Sequence, residues 1–155
     1  MSEFEHLFID PGHDDAEGIA DRLVSIFGLR LNERAGHLYI GASEWPAVGG
    51  HVGGRIERNP YHIPDPVVPE DFLIYEDFPI VWSLWSGGID DPDVREREQR
   101  RRARVVFDLV VERLGWSAIL VHDFEELIAT YDPQRGVREF PHGTFADARS
   151  RHLWE

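Results

Sequence analysis

Apolar positions along this chain follow two rhythms, one every second residue and one every third or fourth, and the switches between them mark the elements. Phe4 to Ile9 is apolar on both faces and runs into Asp10-Pro11-Gly12, predicting a first strand that ends in a turn. Ala16, Ile19, Ala20, Leu23, Val24 and Phe27 then repeat at helical spacing. Asp14 as N-cap with Glu17 as its capping-box partner opens this helix, and Gly28 supplies a left-handed stop, so the helix is expected from Asp15 to Phe27.

His37 to Ala42 reads as a second strand, with Leu38, Ile40 and Ala42 on one face, and a loop through Trp45-Pro46 leads to a glycine-rich third strand from Gly49 to Glu57. Pro60, Pro64, Pro66 and Pro69 make residues Asn59 to Pro69 an extended connector, because proline breaks both helices and sheet ladders. Phe72 to Tyr75 suggests a short strand, and Pro79 to Ser86, apolar on both faces, a central one. Asp91 as N-cap and Pro92 at the first position open a helix that reaches Leu114 and stops at Gly115. Trp116 to Val121 is a buried-type strand. Glu126 to Tyr131 and Val137 to Phe140 flank the turn Asp132 to Gly136 as a hairpin, with a short helix capped by Asp123 as the competing reading. Phe145, Leu153 and Trp154 are expected to dock the tail.

This order predicts one α+β domain over residues 1–155: a mainly antiparallel sheet with two helices on one face, a split βαβ core of ferredoxin-like topology, and a C-terminal hairpin. A hydrophobic fraction of 42% suits a packed core rather than disorder. No apolar run approaches the ~18 residues that a bilayer span requires. Acids at Glu3 and Glu5 stand where a secretory signal would carry basic residues, so a cytoplasmic location is expected.

Composition narrows the chemistry. All 16 basic residues are arginine, and the chain contains neither lysine nor cysteine. Schiff-base amines, thiol nucleophiles, disulfides and thiolate metal sites are therefore excluded. Carboxylates, hydroxyls and eight histidines remain. With 29 acids the net charge is −13, which repels nucleic-acid phosphates and favours a basic protein partner. The arginine run from Arg95 to Arg104 does not reverse this expectation. Asp93 with Arg97, Glu96 with Arg100 and Glu98 with Arg102 are i, i+4 pairs, leaving Arg101 and Arg104 as candidate anion contacts on an otherwise solvated helix half.

Phe8-Ile9-Asp10-Pro11-Gly12-His13, followed by Glu17, resembles the start of the zinc-dependent N-acetylmuramoyl-alanine amidases. In that family a strand ends in a similar Asp-Pro-Gly-His whose histidine binds zinc, and the next helix supplies a glutamate ligand. The resemblance implies zinc at His13 and Glu17 and a small hydrolase. It covers only this segment, and the family's later Ser-x-His-x-Asn has no counterpart; the nearest apolar strand reads Val81-Trp82-Ser83-Leu84-Trp85. A catalytic zinc needs three protein ligands and an open position. The same residues read as a turn and a helix cap, which is the reading adopted, and neither metal nor cofactor is expected. His122 beside Asp123, and His142, are candidate acid–base groups if the fold gathers them. Gly49 to Arg55 is a candidate phosphate cradle, although it has neither the Walker nor the dinucleotide spacing.

The sequence-level conclusion is a non-enzymatic acidic binding protein, most concretely an immunity protein or antitoxin that caps a basic toxin. The candidate partner surface consists of the acids Asp65, Glu70, Asp71, Glu76, Asp77, Asp90, Asp91 and Asp93, with Trp45 and Tyr61 as exposed aromatic anchors. The alternatives are the His13/Glu17 hydrolase and a phage or housekeeping structural protein.

Overall fold

The computed structural model describes residues 4–12, 15–62 and 72–155. The elements are β1 (Glu5–Asp10), α1 (Ala16–Phe27), β2 (Arg30–Arg34), β3 (His37–Trp45), β4 (Gly50–Arg58), β5 (Ile80–Leu84), α2 (Pro92–Leu114), β6 (Ser117–His122), β7 (Glu126–Asp132), β8 (Gly136–Glu139) and α3 (Arg151–Trp154). All eight strands form one sheet in the order β2-β3-β4-β5-β1-β6-β7-β8, and every pairing is antiparallel.

The topology contains the predicted split units. β1 and β4 both pair antiparallel with β5, so they run parallel to each other, and α1 lies on the connection between them. β5 and β6 both pair with β1 and are joined through α2 in the same way. The central order β4-β5-β1-β6 is the ferredoxin-like arrangement, extended by β2 and β3 on one side and by the β7–β8 hairpin on the other.

Side-chain alternation along β1 sorts the core into two layers. Leu7 and Ile9 pack with Ile19, Ala20 and Leu23 of α1 and with Val106, Phe107 and Val110 of α2, so both long helices cover one face of the sheet. Phe8 points to the other face, where Val81, Ile119, Val121 and Leu127 are covered by Tyr75, Ala146 and Trp154. Among the described residues, the chain before β5 and the tail thus roof the β5-β1-β6-β7 half of that second face. Each large apolar side chain buried in either layer contributes about 1.5–3 kcal/mol. Among the described residues no helix is long and apolar enough to cross a membrane.

Local chemistry explains the boundaries. The Asp91 carboxylate accepts from the N–H groups of Asp93 (2.9 Å) and Val94 (3.1 Å), Pro92 needs no partner there, and Gly115 (φ 65°) closes α2. The cap of α1 is Asp15, which accepts from Gly18 N–H at 3.1 Å; Asp14, the cap expected from sequence, lies outside the described residues. The Asp10 carboxylate accepts from Gly12 N–H at 3.0 Å and makes the predicted turn.

Four readings need correction. β2 was not expected as a strand, because all five of its residues are exposed and it carries little apolar alternation. The first half of α2 is not simply solvated: Arg101 donates to Val48 O (3.0 Å), Arg102 to His51 O (3.0 Å), and Gln99 accepts from Ser86 N–H (3.0 Å). The helix start is therefore clipped onto the β3–β4 turn. Asp123 opens no helix; Asp123 and Phe124 are both left-handed (φ 51° and 62°), and Glu125 N–H donates back to His122 O in a tight turn between β6 and β7. Of the tail residues, Trp154 is buried, Phe145 half-buried and Leu153 exposed.

Candidate functional site: an open basic trough on the sheet

The half of the second face that the described residues leave uncovered is a trough of about 810 Å³ across β2, β3, β4, β5 and the start of β1. Strand register assembles it in rows. Arg30 stands opposite Gly41, Gly41 opposite Gly53, and Gly53 opposite Trp85. One step along, Asn32 faces Tyr39 and Tyr39 faces Arg55, while Ser83 faces His6. Two-residue alternation brings Arg30, Asn32 and Arg34 of β2 to this face, with His51, Gly53, Arg55 and Glu57 of β4.

Gly41 and Gly53 leave the floor bare for a packing reason. A Cβ on Gly41 would lie 2.4 Å from Gly53 Cα and 2.5 Å from Val52 O. The strands approach too closely at Gly41 for any side chain, whereas a Cβ on Gly53 would meet Gly41 Cα and Ile40 O at 3.3 Å, a tight contact. Phe124 forms part of the far wall, stacked on the His6 ring at 3.6 Å. It is held there by the left-handed turn, an unfavourable backbone for an aromatic residue that the surrounding packing must maintain.

The electrostatics oppose those of the whole chain. Among the described residues the lining carries Arg30, Arg34 and Arg55 against one acid, Glu57, in a protein of net charge −13. Arg55 is ion-paired with Glu57. Arg34 lies over the Tyr39 ring, its guanidinium carbon 4.5 Å from the ring centre. The Arg30 side chain makes no hydrogen bond or ion pair among the described residues.

His6 Nδ1 shares a hydrogen bond of 3.0 Å with Ser83 Oγ. Burial, helped by the neighbouring His122, lowers the His6 pKa to about 3, so the ring is neutral at ordinary pH. The pair has the outline of a nucleophile and its base, but a base that weak is mismatched to activating a hydroxyl near neutrality. The pair acts as a fixed dipole in the wall. The His51 pKa is also lowered, by burial and then by Arg102; its Nδ1 accepts from Gly87 N–H at 2.7 Å. The neutral tautomer therefore carries its proton on Nε2, which lies beside Gly53, 3.8 Å from where a Cβ would stand there.

The residues singled out from the sequence lie elsewhere. Trp45 is the last residue of β3 and is buried against Phe27, at 5% exposure, so it is a core residue and not an exposed anchor. Glu76 is 2% exposed and accepts from Leu73 N–H at 2.9 Å, so it belongs to a turn and presents no surface charge. Tyr61 is exposed, packed against Tyr75 and Phe124. Asp77, Asp90, Asp91 and Asp93 are exposed. They do not form one patch: Asp77 precedes β5 and the other three follow it, at the opposite end of the strand. Asp65, Glu70, Asp71 and His13 lie outside the described residues.

Glu17 is exposed in the first turn of α1. His122 pairs with buried Glu5, at 2.7 Å from its Nδ1. His142, on the surface, contacts Glu126 at 2.9 Å. Burial raises the Glu126 pKa, but the Gly143 N–H, Arg100 and His142 outweigh it and hold the carboxyl below its ordinary range. Among the described residues no group of three or more histidines and acids is placed to hold a metal.

The candidate phosphate cradle at Gly49 to Arg55 is a strand whose glycines accommodate arginine: a Cβ on Gly50 would lie 2.7 Å from the Arg102 guanidinium carbon. Arg101 also pairs with Glu98, and Arg104 with Asp108 and Glu139, so the two arginines left over by the i, i+4 count are engaged internally.

The trough residues escaped sequence reading, although a signal was present. His51-x-Gly53-x-Arg55-x-Glu57 and Arg30-x-Asn32-x-Arg34 alternate at strand spacing, and each marks a polar face. No protein-family profile, curated protein or solved structure matches this chain, so the chemistry of the trough is read from its own residues.

Proposed function

We propose that this chain is a binding protein whose working surface is the open half of the sheet, and that the surface receives a negatively charged ligand. One observation carries the reading: an acidic chain gathers Arg30, Arg34 and Arg55 on one concave, aromatic-walled surface. A concave site with a few placed polar groups among aromatic walls is the usual form of a ligand pocket, and a low-dielectric wall strengthens the field of the arginines inside it. The test is chemical-shift mapping with anionic, neutral and cationic solutes of similar size. Anions should perturb the amides of Arg30, Gly41, Gly53 and Trp85 first. Perturbations concentrated at the acid loops or spread over the surface would reject the assignment.

A second reading retains the capping role: an immunity protein or antitoxin, acting in the cytoplasm, that holds a basic partner. It is supported by the net charge of −13 and by the exposure of Asp90, Asp91 and Asp93 beside one another at the start of α2. Opposite potentials would speed encounter with such a partner. With Trp45 and Glu76 buried, the described part of the surface for this role is Asp90–Asp93 or Asp77 with Tyr61. Stoichiometric capture of a basic protein from the native host, weakened by Asp90→Asn with Asp93→Asn, is its expected outcome. The hydrolase and structural alternatives have no comparable geometric support.

A further inference from the structure

The trough is chemically different at its two ends, and the difference specifies a ligand. β2 and β1 are four strand steps apart, roughly 19 Å at about 4.8 Å per step. On the β2 side stand Arg30, Asn32 and Arg34. On the β5–β1 side stand Trp85, Phe4 and Phe124. Between Arg30 and Trp85, in the same cross-strand row, lie only Gly41 and Gly53, a strip of bare backbone.

From this arrangement we propose that the trough binds a compact aromatic acid, its ring system lying on the Gly41–Gly53 floor against Trp85 and its anionic group held by Arg30 and Arg34. The inference rests on the open face being the ligand surface, as argued above, and names the class of ligand.

Three details fit it. Arg34 leans over Tyr39, the cross-strand partner of Asn32, and Arg30 and Arg34 flank Asn32 on the same face of β2. Arg30 has no internal partner among the described residues, whereas Arg55 is occupied by Glu57 and serves as a neutralised side wall. The His51 ring stands edge-on to Trp85, 5.9 Å between centres, closing the end of the floor where its Nε2–H is offered beside Gly53. A flat ring can pack on exposed backbone only where side chains are missing, and two facing glycines provide such a place. Guanidinium groups suit planar carboxylates and the oxygens of sulfonate or phosphate.

The probes are 1-anilinonaphthalene-8-sulfonate and its uncharged analogue N-phenyl-1-naphthylamine, titrated by fluorescence into the whole chain. Saturable one-to-one binding of the sulfonate is expected, with the neutral analogue at least about tenfold weaker and Arg30→Ala with Arg34→Ala weakening the sulfonate by about tenfold or more. Arg30→Lys with Arg34→Lys should restore most of that loss. All four substitutions lie on an exposed edge strand and leave both core layers untouched. Equal affinity for the neutral probe, or an unchanged constant in the alanine variant, would overturn the ligand class while the face remained a binding surface. Absence of saturable binding by both probes would overturn the class and the surface together.

Discussion

Buried His6, bonded to half-buried Ser83, makes the stability of this protein depend on pH in a way that one double substitution removes. His6 is 3% exposed, stacked on Phe124 and bonded to Ser83. Its pKa falls from the ordinary 6.5 to about 3 on folding. As the pH drops through 6.5 the unfolded chain takes up the proton first, so the stabilisation is intact above that pH and is lost progressively towards pH 3. Between pH 7 and pH 5 the unfolded histidine goes from mostly neutral to almost fully charged while the folded one stays neutral, a difference of about 1.4 pKa-equivalents or about 2 kcal/mol. His6→Phe with Ser83→Ala removes the titrating ring and also the hydroxyl that would otherwise lose its partner. The cost at pH 7 should stay near the ~1 kcal/mol of one hydrogen bond. Urea unfolding followed by tryptophan fluorescence at both pH values gives the two stabilities. The variant should lose about 2 kcal/mol less than the parent between pH 7 and pH 5. Identical losses in the two proteins would mean that His6 is not buried neutral, and the account of the trough wall would fail.

Other perturbations test other parts of the structure. Trp154 roofs the second core layer and stacks on Phe72, so Trp154→Ala should cost about 3–5 kcal/mol in denaturant unfolding. A Cβ on Gly54 would fall 1.6 Å from Ser83 O, so Gly54→Ala should separate β4 from β5 and destabilise by at least about 3 kcal/mol, seen as a large drop in Tm. Asp91→Ala removes the cap of α2 and should cost about 1 kcal/mol, with Asp91→Asn nearly neutral by the same measurement.

Local signals carried the reading of the sequence furthest. Asp91-Pro92 and Gly115 bound α2 because capping is decided within a few residues, and the same holds for Gly28 after α1. Trp45 was misplaced because a tryptophan before proline looks like a loop, whereas here it ends a strand and fills the space beside Phe27. Asp77 and the Asp90–Asp93 acids stand apart because β5 runs between them, a separation that residue type alone does not reveal. The trough was the least legible feature. Its parts come from Arg30, Tyr39, Arg55, Ser83 and His6, and only the pairing of five strands brings these together. Alternation within one strand shows that a face is polar, but not which polar faces become neighbours.

The central position of β1 also has a kinetic consequence. Its neighbours β5 and β6 are far away in the chain: the His6–Ser83 contact spans 77 residues and Glu5–His122 spans 117. Closing loops of that length is entropically costly before any pairing compensates, so sheets of this kind assemble slowly. During synthesis β1 emerges before either partner, and its Leu7, Phe8 and Ile9 remain an unpaired apolar edge until β5 has followed. The β2–β3–β4 meander has only local pairings and can form during that interval. The arginine rim and the glycine floor are thus laid down early, whereas the aromatic wall of Phe4, Trp85 and Phe124 arrives with the last closure of the sheet. A chain stalled before β6 would leave one apolar edge of β1 open to other chains, and the trough would be complete only once that strand is enclosed.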